Sequence, residues 1–193
     1  MLVKCAGVLV LVIFLFQIGE ERQSVKNPQV QEQSDFSVEQ QYVQTPIRQP
    51  VDVPESVLQI LRNDKRYVLA CAKAQNLSAD QVPGMWFIGS QIHLDGPAEV
   101  DLVVQPRLQP DLRPSNRCIL GANVGPFWIF RETPQANQLL NTGGHDLTVL
   151  DSRTKGYRDI KVIVIALSGI STTIYKFDGQ KYERGPTHTE PIR

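Results

Sequence analysis

The sequence predicts an α+β domain in which an N-terminal helix or helix pair packs on a mainly antiparallel β-sheet. Apolar residues at helical spacing follow residue 52, which indicates the helices. From Met85 onward, short apolar or alternating segments are separated by turn residues at intervals of about 8 to 12 residues, as in antiparallel sheets. A glutamine-rich stretch before residue 53 separates this domain from the N-terminus of the chain.

The first element along the chain is an apolar segment, residues 1–19. Lys4 precedes an unbroken apolar run that reaches Phe16, and Glu20 ends the segment. A basic start and an apolar centre are typical of a secretory signal peptide. The segment lacks the usual pair of small residues at a cleavage site, and its helical length of about 27 Å nearly spans a bilayer. A cleaved signal peptide and a retained N-terminal membrane anchor are therefore both open.

Both alternatives predict an exported protein, either periplasmic or extracellular, or held in the inner membrane by its N-terminus. The rest of the chain then faces an oxidising compartment and holds two cysteines, Cys71 and Cys118. Two cysteines outside the cytosol indicate one disulfide. Two buried free thiols are the alternative.

Residues 20–52 are predicted to form a disordered linker. Glutamines dominate this stretch, and prolines interrupt it at Pro28, Pro46 and Pro50. Such a composition cannot bury enough apolar area to offset the entropy of an ordered chain. The linker precedes a single β-rich globular domain at residues 53–184.

The domain is predicted to open with one helix or two short ones. Asp52 and Glu55 have the spacing of a capping box around Pro54, and Asn63–Asp64 is a natural break. The apolar face that this helical spacing predicts comprises Val57, Ile60, Leu61, Val68 and Cys71.

The strands follow the helical region. The segments with strand character are Trp86–His93, Glu99–Val104, Cys118–Leu120, Phe127–Arg131, Gln138–Asn141, Leu147–Leu150, Asp159–Leu167, Thr172–Phe177 and Lys181–Glu183. Asp178–Gly179 predicts a tight hairpin turn between the last two, because glycine accepts positive φ without strain. The polar residues 185–193 are predicted to form a flexible tail.

Three segments of the domain carry a resemblance to known proteins. They are Gly125–Trp128 (GPFW), Gly156–Ile160 (GYRDI) and Phe177–Tyr182 (FDGQKY). Together they resemble a group of small exported bacterial proteins of uncharacterised function, and the resemblance implies a bacterial envelope protein without an assigned activity. A weaker likeness to integrin-type propeller repeats rests on the glycine turn before Asp101–Val104. The chain lacks the calcium loop of those repeats, so the likeness implies no calcium site.

The candidate binding residues are Phe127, Trp128, Tyr157 and Arg158. The two aromatics follow a loop rich in glycine and proline, and such a combination can form a partner surface. The alternative is that Trp128 belongs to the core while Phe127 faces outward. Tyr157 and Arg158 follow Gly156 in a predicted turn, where contact residues are often found.

A catalytic site has less support. His145 and Asp146 follow a glycine pair, and Ser90 or Ser168 would have to complete a triad. The sequence has no nucleophile elbow of the G-x-S-x-G type. Three histidines without ligand spacing predict no metal site, and no motif predicts a cofactor.

The sequence therefore favours a non-enzymatic domain that contacts an envelope or extracellular protein. Its 20 basic and 20 acidic residues balance, which argues against nucleic-acid binding. Membrane contact is expected through residues 2–19 only. Two alternatives remain: an extracytoplasmic hydrolase that uses His145 and Asp146, and a small-ligand carrier with an apolar pocket near Trp86 and Trp128.

Overall fold

Ten antiparallel strands and two helices make up the described part of the chain. The computed structural model describes residues 37–39, 50–96, 100–107, 112–120, 124–131 and 135–192. In chain order the elements are β1 (Ser37–Glu39), β2 (Pro50–Val51), α1 (Glu55–Arg62), α2 (Val68–Ala74), β3 (Phe87–Ile92), β4 (Asp101–Pro106), β5 (Gly125–Arg131), β6 (Asn137–Gly144), β7 (Asp146–Thr154), β8 (Tyr157–Ala166), β9 (Gly169–Phe177) and β10 (Tyr182–Glu190).

The strands form two five-stranded sheets. The inner sheet has the order β2-β3-β4-β5-β6, and the outer sheet has the order β1-β7-β8-β9-β10. Every pairing is antiparallel. The prediction of a mainly antiparallel β-domain with N-terminal helices is confirmed at this coarser level, with two sheets in place of one.

The inner sheet is covered on both faces. One face shares a core with the helices, to which Val57, Leu61 and Trp128 belong. The other face packs on the outer sheet, where Phe127 meets a cluster that includes Ile160. Because both faces are covered, β4 is buried along its whole length, which explains the unbroken apolar run in its sequence.

The chain passes from the inner to the outer sheet at Gly143–Gly144. A Cβ atom at Gly144 would lie 2.5 Å from Val162 Cγ1, so the chain needs glycine for this close approach. His145 follows at once, and its backbone N–H donates to Ile163 O at 2.7 Å. The glycine pair before the histidine is thus a crossing between sheets.

The predicted break between the helices is confirmed, whereas the predicted cap is wrong. Helix α1 ends at Arg62 and α2 begins at Val68. Pro54 is the N-cap of α1 and has no side-chain cap bond, so Asp52 does not cap the helix. In the break, Asp64 Oδ1 accepts the backbone N–H of Tyr67 at 2.7 Å.

The Cys71–Cys118 disulfide is present and joins α2 to a short 3₁₀ turn, Arg117–Ile119. A strand had been predicted at Cys118–Leu120, and that prediction is wrong. The side-chain amide of Asn116 donates to Trp86 O at 2.9 Å and to Arg107 O at 2.5 Å. These bonds hold the chain as a turn beneath the inner sheet, although its apolar residues resemble those of a strand.

The predicted flexible tail at residues 185–193 is also corrected, because β10 continues to Glu190. Thr187 and Thr189 pair with Thr173 and Ser171 of β9. Exposed polar residues at a sheet edge give no alternating apolar signal, which is why the sequence did not indicate this strand.

The predicted signal peptide or anchor, residues 1–19, lies outside the described residues. The predicted linker, residues 20–52, lies outside them except at Ser37–Glu39 and from Pro50 onward, and β1 and β2 occupy parts of those stretches. Within the described part of the chain, no helix combines the length and the apolarity needed to cross a membrane.

Candidate functional site

A cleft opens where β6 forms the edge of the inner sheet. We call it the edge cleft; its volume is about 660 Å³. Strand β6 forms one wall, and β8, β9 and β10 of the outer sheet form the other. The lining residues are Arg66, Gln138, Leu139, Leu140, Asn141, Thr142, Gly143, Val162, Val164, Thr173, Tyr175, Lys181, Tyr182, Glu183 and Arg184.

A second cleft adjoins the first. This helix cleft lies between α1 and the start of β6 and has a volume of about 780 Å³. Arg66, Gln138 and Asn141 line both clefts. These three side chains are common to both clefts, and we refer to the two adjoining clefts together as the groove.

Several hydroxyl groups in and beside the edge cleft are hydrogen-bonded to one another. Thr142 Oγ1 of β6 lies 2.8 Å from Tyr175 Oη of β9, a hydrogen bond between the two sheets. Thr173 and Thr187 share a second hydroxyl bond of 2.8 Å, and Arg184 Nη2 donates to Thr187 Oγ1 at 3.0 Å. Thr142 and Thr173 are buried and Thr187 does not line the cleft, so these bonds tie neighbouring strands together rather than offering free hydroxyls to a ligand.

The Asp64 carboxylate fixes side chains that lie between the two clefts. Its Oδ2 accepts the indole N–H of Trp128 at 3.0 Å and the side-chain amide of Asn141 at 2.7 Å. Its other oxygen accepts the N–H of Tyr67, as described above. The connection between α1 and α2 is thereby bound to β5 and β6, and the position of Asn141 is set.

The Tyr67 ring packs between Trp128 of the core and Arg66 of the groove. Its ring meets Trp128 edge to face, with 6.0 Å between the ring centroids, and the Arg66 guanidinium carbon lies 4.9 Å from the Tyr67 ring centroid. Burial, more than any other cause, raises the pKa of the Tyr67 phenol above its ordinary value of 10.0. The Tyr67 phenol therefore stays neutral at physiological pH, beside the Arg66 side chain.

The edge cleft has more positive than negative charge. Three cations line it, Arg66, Lys181 and Arg184, against one acid, Glu183. The chain as a whole is balanced in charge, so the cleft departs from the average of the molecule. A local excess of basic groups attracts acidic ligands.

The predicted binding residues Phe127 and Trp128 are core residues, and both are 0% exposed. They are neighbours on β5, so their side chains enter opposite faces of the inner sheet. Trp128 faces the helices, and Phe127 faces the outer sheet. The expectation that Phe127 points outward is wrong, because the second sheet covers that face.

Tyr157 and Arg158 also make their contacts within the fold. The Tyr157 ring stacks on Phe177 at 3.8 Å between centroids, and its hydroxyl donates to Asp95 Oδ2 at 2.9 Å. Arg158 is 3% exposed; its Nε donates to Leu150 O at 2.7 Å, and its Nη2 lies 2.8 Å from Asp151 Oδ1. The prediction of an exposed contact at Arg158 is therefore wrong.

A buried charge cluster accompanies Tyr157. Arg131 Nη2 lies 2.8 Å from Asp95 Oδ2, and Arg131 Nε lies 3.5 Å from Asp101 Oδ1. Asp101 is fully buried, and this burial raises its pKa to about 6, with Arg131 opposing the shift. The cluster joins the start of β4 and the end of β5 to the start of β8. It is an ion-pair network inside the fold.

His145 lies at the crossing between the sheets, where its Nδ1 accepts the N–H of Ile165 at 2.9 Å. The lone pair that a general base would use is thus engaged, and burial lowers the pKa of the imidazole. Ser90 is buried in β3, whereas Ser168 is exposed between β8 and β9. Among the described residues, no group of three or more His, Cys, Asp or Glu side chains could hold a metal ion.

The groove residues Gln138, Asn141, Tyr175 and Arg184 were not predicted from the sequence. The available signal was that Asn137–Gly144 contains no charged residue and no proline, which is unusual for an exposed sheet edge. Comparison with known protein families, curated proteins and solved structures finds no match for this chain.

Proposed function

We propose that this chain is an exported, non-enzymatic binding domain of the bacterial envelope, of the α+β class, which holds a partner macromolecule in the edge cleft. The segment at residues 1–19 supports export, and the disulfide fits an oxidising compartment. The partner would be an envelope or extracellular protein.

The observation that carries this proposal is the chemistry of the edge cleft. Its walls present the side-chain amides of Gln138 and Asn141 together with a basic excess, and the helix cleft adjoins it. An open polar groove of this kind suits a chain-like ligand that makes many hydrogen bonds. Small-molecule sites are mostly apolar and more enclosed.

The two alternatives have less support. A hydrolase would need His145 as a base, and its Nδ1 already accepts a backbone N–H. A carrier would need space near the tryptophans, yet Trp86 and Trp128 are both fully buried and donate their indole N–H groups to Pro114 O and Asp64.

Partner capture with charge-reversed variants tests the proposal. The full chain would be immobilised and exposed to envelope extract of the producing organism, and bound proteins would be compared between variants. We expect the double variant R66E/R184E to lose the captured partner, because both changes place acid in the cleft. K73E is the control for charge reversal outside the clefts, since Lys73 is exposed on α2 and lines neither cleft. Equal capture by all three proteins would contradict the proposal.

A further inference from the structure

We infer that the ligand of the edge cleft is an extended acidic peptide segment, which pairs with β6 as a sixth strand of the inner sheet. The inference rests on the proposed function and specifies how the partner is bound. Strand addition of this kind draws its affinity from main-chain hydrogen bonds.

The lining of the cleft shows that the backbone of β6 faces it. Six consecutive residues, Gln138–Gly143, line the edge cleft. Side chains of a strand alternate between the two faces, so side chains alone would place every second residue in the cleft. An unbroken run means that the edge of the strand, with its N–H and C=O groups, is part of the wall.

This edge has no strand partner among the described residues. Strand β6 pairs with β5 on one side, and no backbone hydrogen bond joins residues 138–143 to any other described segment. Every second residue of an edge strand turns its N–H and C=O groups away from the sheet. An added strand would satisfy these groups.

The other three sheet edges are protected. As described, the edge strands β1 and β2 have three residues and two, and very short edge strands offer few groups to a further strand. Strand β10 carries charged side chains, an irregular register between Arg184 and Thr187, and Pro186, which has no N–H to donate. Natural edges are blunted by such features, and β6 has neither charge nor proline.

The outer sheet provides the second surface that an added strand needs. Thr173 and Tyr175 of β9 and Arg184 of β10 line the cleft opposite β6. A strand beside β6 would cover these residues as the inner sheet covers the buried residues of β7 and β8. The register of β6 is regular from Leu140 to Gly144, after an irregularity near Leu139, so pairing is expected over that stretch.

The charge of the cleft selects the side chains of the added strand. Arg66 stands on the helix side of β6, and Arg184 and Lys181 stand on the outer-sheet side. Acidic residues on either face of the peptide would therefore meet a cation. Two acids stand near these cations: Glu183 lines the edge cleft, and Asp64 lines the adjoining helix cleft, where Trp128 and Asn141 already donate to it.

Selection from a random peptide library tests the inference. Displayed octapeptides would be selected against the full chain in mild detergent, since about six residues of strand span the 20 Å of the β6 edge. We expect recovered peptides rich in Asp, Glu and β-branched residues, with affinity about tenfold weaker for R66E/R184E and unchanged for K73E. Recovery of no peptide, or of peptides without acidic enrichment, would overturn the inference.

Backbone methylation of a recovered peptide then tests the pairing itself. N-methylation removes the donor N–H, and alternate residues of a strand donate to the same side. One alternating series should lose binding at least tenfold, and the other should keep it. Equal behaviour of the two series would rule out strand pairing.

The inference and the proposed function fail in different ways. If partner capture depends on Arg66 and Arg184 but both methylated series bind equally, the cleft binds a partner by another geometry. If the captured partner is a glycan, the peptide assignment is wrong while the cleft remains the site. If capture does not depend on the cleft, the proposed function itself is wrong.

Discussion

At the scale of single residues, two partly or fully buried aspartates do different work in this fold. Asp64 accepts three hydrogen bonds from the N–H groups of Tyr67, Trp128 and Asn141. Asp101 is fully buried, and its closest cation, Arg131, is 3.5 Å away. Burial therefore raises the pKa of Asp101 and favours its protonated form.

Asp101 should make stability fall as pH rises. Its pKa is about 6 in the folded chain against 3.8 in the unfolded one. The folded state therefore binds the proton more tightly, and the stabilising contribution is complete below pH 3.8 and lost as pH rises through 6. A shift of this size corresponds to about 3 kcal/mol.

Urea unfolding of the wild type and Asp101→Asn between pH 4 and pH 8 measures this contribution. We expect the free energy of unfolding of the wild type, relative to the variant, to fall by about 2 to 3 kcal/mol across the range. The difference between the two free energies of unfolding removes the contribution of the other carboxylates, because these titrate in both proteins. A difference that stays constant, or that grows with pH, would show that burial does not govern Asp101.

Asp64→Ala should destabilise the domain by about 2 to 4 kcal/mol, because hydrogen bonds to a charged group are strong and the buried indole N–H of Trp128 would lose its acceptor. Asp64→Asn keeps one oxygen acceptor and should lose about half as much. Thermal and urea unfolding give both values. A loss below about 1 kcal/mol for the alanine variant would mean that the three hydrogen bonds of Asp64 contribute little to stability.

At the scale of elements, local sequence patterns predicted the turns and breaks that are set by residues close together in the chain. The Asp178–Gly179 turn lies between β9 and β10 as expected, and the Asn63–Asp64 break separates the helices. The Cys118–Leu120 prediction failed because the bonds of Asn116, distant in sequence from Trp86, decide that segment. Strand β10 was underestimated because its polar residues pair at an exposed edge.

The disulfide is the element-scale feature with the clearest energetic consequence. It closes a sequence separation of 47 residues, which corresponds to about 4 kcal/mol in the chain-entropy model. The double variant Cys71→Ala/Cys118→Ala should therefore unfold at lower urea concentration, and a reducing agent should affect the wild type only. If reduction leaves the unfolding midpoint of the wild type unchanged, the bond does not stabilise the fold.

At the scale of the whole molecule, the stacking of the sheets decides the candidate site. The sequence predicted exposed positions for Phe127 and Arg158, but the second sheet buries Phe127, and Arg158 is buried at the start of β8. The groove was missed for the same reason. Tyr175 and Thr142 lie 33 residues apart, and only the packing of one sheet on the other brings their hydroxyls to 2.8 Å. No local pattern contains that information.

The central claim is that a partner occupies the cleft beside β6, and site-specific photocrosslinking in intact cells tests it most directly. A photoreactive residue would replace Gln138 at the junction of the two clefts or, as a control, Lys73 on α2. We expect a discrete crosslinked partner from position 138 and none from position 73. The crosslink from position 138 should be lost in R66E/R184E. A partner captured from position 73, with none from position 138, would contradict it.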